Sequence, residues 1–299
     1  MSRSSAASGD GVQSRRGVFP SADDLNFLLT NCIPRAAATH LMGWYSRVES
    51  RLLCRLSLAV WRMFADLDLS DAETREFDSV HACFTRRLRP GARPVDQRPD
   101  ILVSPCDGIV GACGPVCGTR VYQAKGFPYE LADLLGEAGD AERFVDGCFV
   151  TLRLTSAMYH RFHAPADARV RQIRYISGDT WNVNPIALAR IERLFCRNER
   201  AVIELALADG DWPILLVPVA AILVASIRLH CADVRFHLRY RGPNLIPADS
   251  VVARGQEMGW FEHGSTILLF LPPGFRCFEG IVPGYRIRMG EPLACLPRS

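Results

Sequence analysis

Apolar residues recur at helical spacing from Ala22 to about Leu69, and Pro34 divides that stretch into a predicted helix near 35–45 and another near 49–65. On the second, Leu52, Leu53, Leu56, Val60, Met63 and Phe64 share one face, with Arg51, Arg55 and Arg62 along its side. Residues 71–89 predict a short helical link. Pro90-Gly-Ala-Arg-Pro94 then breaks the chain, and from Ile101 onward the pattern becomes short β-rich runs between Gly/Pro/Asp turns. Candidate strands are 101–104, 109–113, 149–154, 170–176, 201–206, 214–227, 236–240, 267–271 and 285–289. Asn184-Pro185 suits the start of a short helix. The fold class that follows is α+β: a mainly β core preceded by an amphipathic helical region. Residues 1–20, rich in Ser, Gly and Arg, read as a disordered tail.

The amphipathic face has two readings. Packing on the protein's own core is the default for such a stretch and is favoured by the residues alone. An arginine-flanked apolar face near Trp44, Tyr45 and Trp61 also suits a helix lying in the headgroup layer of an anionic membrane. The longest apolar run, 212–227, is too short for a membrane span and carries Pro213 and Pro218, so it predicts a pair of buried strands. Ser104-Pro-Cys-Asp-Gly-Ile-Val110 and Ala164-Pro-Ala-Asp-Ala-Arg-Val170 echo one another and predict two similar strand–turn–strand units facing each other.

A chain of 299 residues with 48% hydrophobic content builds a substantial core. A formal charge of +3 carries no nucleic-acid character. Eleven scattered cysteines fit a reduced compartment, where they act as small buried hydrophobes; Cys113 and Cys117 are weak ground for zinc, and no metal is expected. The N-terminus has no signal-peptide core. The one lysine, Lys125, leaves a single candidate for a pyridoxal phosphate imine.

The candidate chemistry centres on Arg254-Gly-Gln-Glu-Met-Gly-Trp-Phe-Glu-His-Gly-Ser-Thr266, directly before an apolar run. A serine hydroxyl after glycine reaches the Gly264 carbonyl carbon once a base removes its proton; a plain tight turn is the alternative. Tyr159-His-Arg-Phe-His163 places two histidines at the end of a strand-like run. Asp107 lies in a turn where aspartate often bonds only its own backbone, and Glu257 reads as a solvated surface charge. Together Asp107, His160 or His163, and Ser265 form an orienting carboxylate, a base and a nucleophile of the triad kind.

An ordered series of landmarks resembles the bacterial-type phosphatidylserine decarboxylase proenzymes from about Ala22 to the C-terminus. It runs Phe84-Thr-Arg-Arg-Leu-Arg-Pro-Gly-Ala-Arg-Pro94, Ser104-Pro-Cys-Asp-Gly108, Lys125-Gly-Phe-Pro-Tyr-Glu-Leu131 and Tyr159-His-Arg-Phe-His-Ala-Pro165. Val183-Asn-Pro185, Arg197-Asn-Glu-Arg200 and the 254–266 segment complete it. The chain departs from the family pattern at Cys106, Ser156, Met158, Met258 and His263.

The resemblance implies self-cleavage between Gly264 and Ser265, giving a β chain, 1–264, and an α chain, 265–299, whose Ser265 becomes a pyruvoyl group. In the family pattern His163 takes the Ser265 proton and Asp107 orients His163; His160 is our candidate for handling protons in decarboxylation. The implied reaction converts phosphatidylserine in the membrane to phosphatidylethanolamine and CO2. It makes 21–90 a helical membrane-associating region, which shifts the favoured reading of the amphipathic face to an interfacial anchor, and 91–299 a β-rich catalytic domain. A peripheral site on the cytoplasmic face of the cell membrane and a homodimer follow from the same resemblance. A decarboxylase of a soluble amino acid and a Ser/His/Asp hydrolase without self-cleavage are the alternatives.

Overall fold

Four helices open the computed structural model, which describes residues 21–123, 127–222, 226–262 and 265–297. Helix α1 (Ala22–Asn31) begins in a capping box: the Ser21 hydroxyl accepts from the Asp24 amide at 3.1 Å while the Asp24 carboxylate accepts from the Ser21 amide at 2.9 Å. Helix α2 (Arg35–Ser46) starts after Pro34, and α3 (Arg51–Arg62) is capped by the Ser50 hydroxyl. Of residues 71–89 only α4 (Val80–Phe84) is helical. The predicted tail, 1–20, lies outside the described residues.

The orientation of α3 departs from core packing. Cys54 and Leu58 form its buried side, and Trp61 stacks on Phe84 with ring centroids 4.5 Å apart. The predicted apolar face points outward, with Leu52 70%, Met63 77% and Phe64 82% exposed. Of the three rings expected near an interface, Trp44 is exposed, Trp61 turns inward, and Tyr45 shares a 2.6 Å hydroxyl hydrogen bond with Ser57. No helix among the described residues is long and apolar enough to cross a membrane.

The β half is built on an eight-stranded antiparallel sheet. Its order is Leu245–Val252, Ala168–Ile176, Arg200–Leu207, Pro213–Ala220, Ser265–Leu271, Cys148–Leu154, Gly108–Pro115 and Arg286–Ile287. Ser265–Leu271, buried at all seven positions, lies at its centre. A four-stranded sheet (Val234–His237, Ser226–Leu229, Glu257–Phe261, Arg161–His163) shares one core cluster with the inner face of the large sheet. Of the run 212–227, Pro213–Ala220 is a strand and only the last two residues enter a second, Ser226–Leu229, in the other sheet; Asn184-Pro185 does start a short helix, with the Asn184 side chain as cap.

The two echoing segments meet. Val103 donates its amide to the Pro165 carbonyl at 2.9 Å, and His163 donates to the Pro105 carbonyl at 2.8 Å. Around each, the same pattern repeats. Ser104 donates to Glu291 at 2.8 Å and accepts from Gly290 at 3.0 Å; Ala164 donates to Gln256 at 2.9 Å and accepts from Gly255 at 2.8 Å. Both glycines have left-handed φ, 75° at Gly255 and 89° at Gly290. The large sheet inherits this pseudo-twofold relation, since each echo feeds the strand next to one sheet edge. Of the eleven cysteines, all free, only Cys54, Cys83 and Cys106 are fully buried, so the small-hydrophobe reading holds for a minority.

Candidate active site

Ser265 opens the central strand, with Leu154 opposite it on one side and Ala220 on the other. It is fully buried, and its hydroxyl has no hydrogen-bond partner among the described residues. A buried hydroxyl without a partner costs stability unless something else uses it. His263 and Gly264, immediately upstream, lie outside the described residues, as does Lys125. Gly259 fits for a steric reason: a Cβ there would stand 2.0 Å from the Arg228 carbonyl oxygen.

The two histidines have different surroundings. His160 accepts the Phe261 amide on its carbonyl at 3.0 Å, and its fully buried ring lies against Phe84. Neither ring nitrogen makes a hydrogen bond of normal geometry with the described residues. Burial, reinforced by the Arg86 charge, pushes its pKa down to about 3, and the Met158 backbone offsets only part of that, so the ring is neutral. His163 Nδ1 lies 2.9 Å from the Gly255 carbonyl and Nε2 lies 3.0 Å from the Tyr159 hydroxyl. A carbonyl only accepts, so Nδ1 carries the proton and Nε2 presents its lone pair to Tyr159. Burial lowers the His163 pKa, against the pull of the Gly255 carbonyl and the Glu257 and Asp107 charges.

Asp107 is not hydrogen-bonded to His163. Its carboxylate is held by Arg93, at 2.9 Å from Nε and 2.6 Å from Nη2, and by the Met289 amide at 2.9 Å. Arg93 also reaches Asp71 at 2.8 Å. The direct orienting bond expected between Asp107 and His163 is therefore absent among the described residues: the guanidinium fork takes the carboxylate, and Gly255 takes the imidazole proton. Neither histidine bonds to the Ser265 hydroxyl. Glu257 is half-buried rather than a free surface charge, held by Arg161 at 2.6 Å and His230 at 2.7 Å. Burial raises its carboxyl, but these partners together hold it below its ordinary range.

Three cavities surround this ground. One, of about 700 Å³, exposes Asp107, Arg93 and Tyr159 and is lined by both Ser156 and Met158, two of the positions that depart from the family pattern. A second, of about 550 Å³, is apolar and lies between α2 and α3, reaching Ser156 and Ile222. The third, of about 590 Å³, is polar and carries Arg47, Arg235, His81, His237 and Glu262. Glu262 is paired with both Arg47 and Arg235.

Sequence comparison adds a decisive observation. The family described as phosphatidylserine decarboxylase matches residues 80–295, well over half the chain. The chain belongs to the phosphatidylserine decarboxylase family. A phosphatidylserine decarboxylase proenzyme of Photobacterium profundum is 36% identical over 296 residues, covering 93% of this chain and 98% of the relative. One from Halorhodospira halophila is 41% identical over 238 residues, 78% of this chain and 80% of the relative. One from Sodalis glossinidius is 34% identical over 285 residues, 91% and 96% respectively.

Among the family's landmarks in this chain, Arg197-Asn-Glu-Arg200 carries a group that sequence reasoning left without a role. Glu199 is fully buried, accepts the Tyr175 hydroxyl on Oε1 at 2.9 Å, and has no partner for Oε2 among the described residues. Burial raises its pKa to about 7, and the Tyr175 hydrogen bond pulls the other way. The available sequence signal was an acidic residue at the mouth of an apolar strand, Arg200–Leu207.

Proposed function

We propose that this chain is a proenzyme that cuts itself between Gly264 and Ser265 and then decarboxylates phosphatidylserine to phosphatidylethanolamine. The observation that carries the reading is the unpartnered Ser265 hydroxyl, buried at the head of the central strand. Among the described residues nothing bonds that hydroxyl, and a nucleophile needs a free one.

In this reading Ser265 Oγ attacks the Gly264 carbonyl carbon and the acyl group moves from nitrogen to oxygen. Elimination of the ester leaves dehydroalanine at 265, and water displaces its nitrogen as ammonia to leave a pyruvoyl end. His163 takes the serine proton. Its neutral form, with the lone pair on Nε2, supports that role, and Asp107 favours it through charge rather than contact. The Ser265 position fits the group, because its hydroxyl is buried without a partner among the described residues and its neighbours across the sheet are Leu154 and the small Ala220. A pyruvoyl carbonyl supplies the electron sink for loss of CO2 from an amine-bearing substrate. His160, held neutral in an apolar wall, moves protons in that step.

The outward apolar residues of α1–α3, among them Leu41, Trp44, Leu52, Val60, Met63 and Phe64, support peripheral attachment to the lipid surface that contains the substrate. The apolar cavity beneath α2 and α3 suits an acyl chain. The cytoplasmic face of the cell membrane and a homodimer complete the proposal.

Intact-mass measurement of purified protein tests it. The expected result is two pieces, 1–264 and a pyruvoyl-capped 265–299, with Ser265→Ala staying whole and inactive. A single unmodified chain with full decarboxylase activity refutes the self-cleavage reading.

A further inference from the structure

Glu199 and Ser265 occupy one row of the large sheet. The Ala220 amide donates to the Glu199 carbonyl at 2.8 Å, and Ala220 is also the Cα partner of Ser265. Their side chains lie on one face. Ala201, Ile203 and Leu205, in step with Glu199, and Ile267, Leu269 and Leu271, in step with Ser265, belong to the same core cluster, as does Ala220 between them. Two strand spacings put the two Cα atoms about 10 Å apart. A glutamate side chain crosses roughly half of that gap, and the side chain between them is only a methyl group. Both ends of the row carry buried atoms without a partner among the described residues, Oε2 of Glu199 and Oγ of Ser265.

We propose, resting on the self-cleavage reading above, that Glu199 is the base that drives the elimination step at Ser265, acting through one water over Ala220. The Glu199 carboxylate takes the Cα proton of the Ser265 ester. The C–H electrons form the Cα=Cβ double bond, the Cβ–Oγ bond breaks, and its electron pair leaves on the Gly264 carboxylate. A base must be within hydrogen-bond reach or one water away; with Oε1 on Tyr175, the roughly 5 Å left along the row is a span for one water.

The surroundings give Glu199 the proton affinity this needs. Its raised pKa comes from burial, with no charged neighbour contributing. Tyr175 is the titratable group bonded to it; Tyr240 packs edge-on against Tyr175, and His237 offers its carbonyl to the Tyr175 hydroxyl at 3.4 Å. Arg200 directs its guanidinium at the carbonyls of Asp133, Leu134, Cys196 and Asn198, and Asp179 is taken by Arg35. A carboxylate with pKa near neutrality is a stronger base than an exposed one and is still largely ionised above pH 7.

Glu199→Gln is the test, read on the precursor's own conversion. The ester should accumulate, because its elimination slows by about 100-fold or more. Neutral hydroxylamine then splits the chain, giving 265–299 with an N-terminal serine instead of pyruvoyl. Conversion of Glu199→Gln at the wild-type rate overturns the proposal, and so does an uncut chain from which hydroxylamine releases nothing. If Glu199→Gln does not fold, Tyr175→Phe decides. Losing the hydroxyl that stabilises the carboxylate should move the neutral-pH inflection of wild-type conversion upward; an unmoved inflection overturns the proposal. A wild-type chain that never cuts itself removes the self-cleavage reading and this inference with it.

Discussion

Arg47, the C-cap of α2, and Glu262, 215 positions apart, are ion-paired, so the N-terminal helices are tied directly to the segment two residues before Gly264. Arg235 holds the same carboxylate at 2.6 Å. Glu262 is nearly buried, whereas each arginine is about two-fifths exposed.

That asymmetry sets the expected energetics. Arg47→Gln or Arg235→Gln alone should cost under about 1 kcal/mol, since the remaining arginine still neutralises the carboxylate. The double variant should cost about 1–3 kcal/mol more than the sum, because it strands a buried charge. Urea unfolding of the two single variants and the double variant, each in the uncut Ser265→Ala background, measures this coupling. Additive losses would show that Glu262 does not need either partner.

The outward face of α3 predicts a separation between binding and stability. Val60→Asp with Met63→Asp should abolish sedimentation with anionic vesicles while changing unfolding free energy by no more than about 0.5 kcal/mol, as both sites are more than half exposed. A large loss of stability would return this face to a packing role.

Two buried groups should oppose each other in the pH dependence of stability. His160 titrates near 6.5 when unfolded and near 3 when folded, so between those values the unfolded chain binds the extra proton and stability rises with pH. Glu199 titrates near 4.5 unfolded and near 7 folded, so there the folded chain binds the extra proton and stability falls with pH. From pH 4.5 to 6.5 the slopes, about 1.4 kcal/mol per pH unit each, offset one another. His163, His81 and His237, also lowered, add to the rise. His160→Gln should make the slope over this window less positive and Glu199→Gln more positive, both read from denaturant midpoints.

Arg93 and Asp107, each about one-tenth exposed in its side chain, form the other pair that single substitution should expose. Arg93→Ala leaves the carboxylate with only the Met289 amide and should cost about 3 kcal/mol; adding Asp107→Asn should recover part of it. Thermal melts of the single and double variants check the sign.

How much of this was readable from residues alone depends on what each feature is made of. The 267–271 run and the strand Pro213–Ala220 were legible because apolar β-rich residues bounded by turns say strand wherever they fall. Arg161–His163 and Leu245–Val252 were not foreseen: one is three residues with two polar side chains, the other an edge strand interrupted by Pro247, Asp249 and Ser250. The face of α3 was legible but its direction was not, because periodicity groups residues without saying what covers them. Asp107 directly precedes the strand Gly108–Pro115 and His163 ends the strand Arg161–His163. Their partners, Arg93 and Gly255, are chosen by tertiary geometry that no local pattern encodes. Glu199 escaped for a related reason, since its chemistry comes wholly from burial.

The location of the central strand gives the proposed cut a kinetic meaning. Ser265–Leu271 is hydrogen-bonded on both sides to strands of the large fragment, and Arg276–Cys277, Arg286–Ile287 and Pro292–Cys295 from the same 35 residues enter two sheets. Cutting at 264 therefore leaves a small chain that cannot depart without opening the middle of the sheet. Folding is a first-order event of one chain, while refolding after the cut requires two molecules to find each other. The mature protein would then persist by the slowness of its unfolding, a one-way assembly that cannot be rebuilt from its parts at the rate at which it was made.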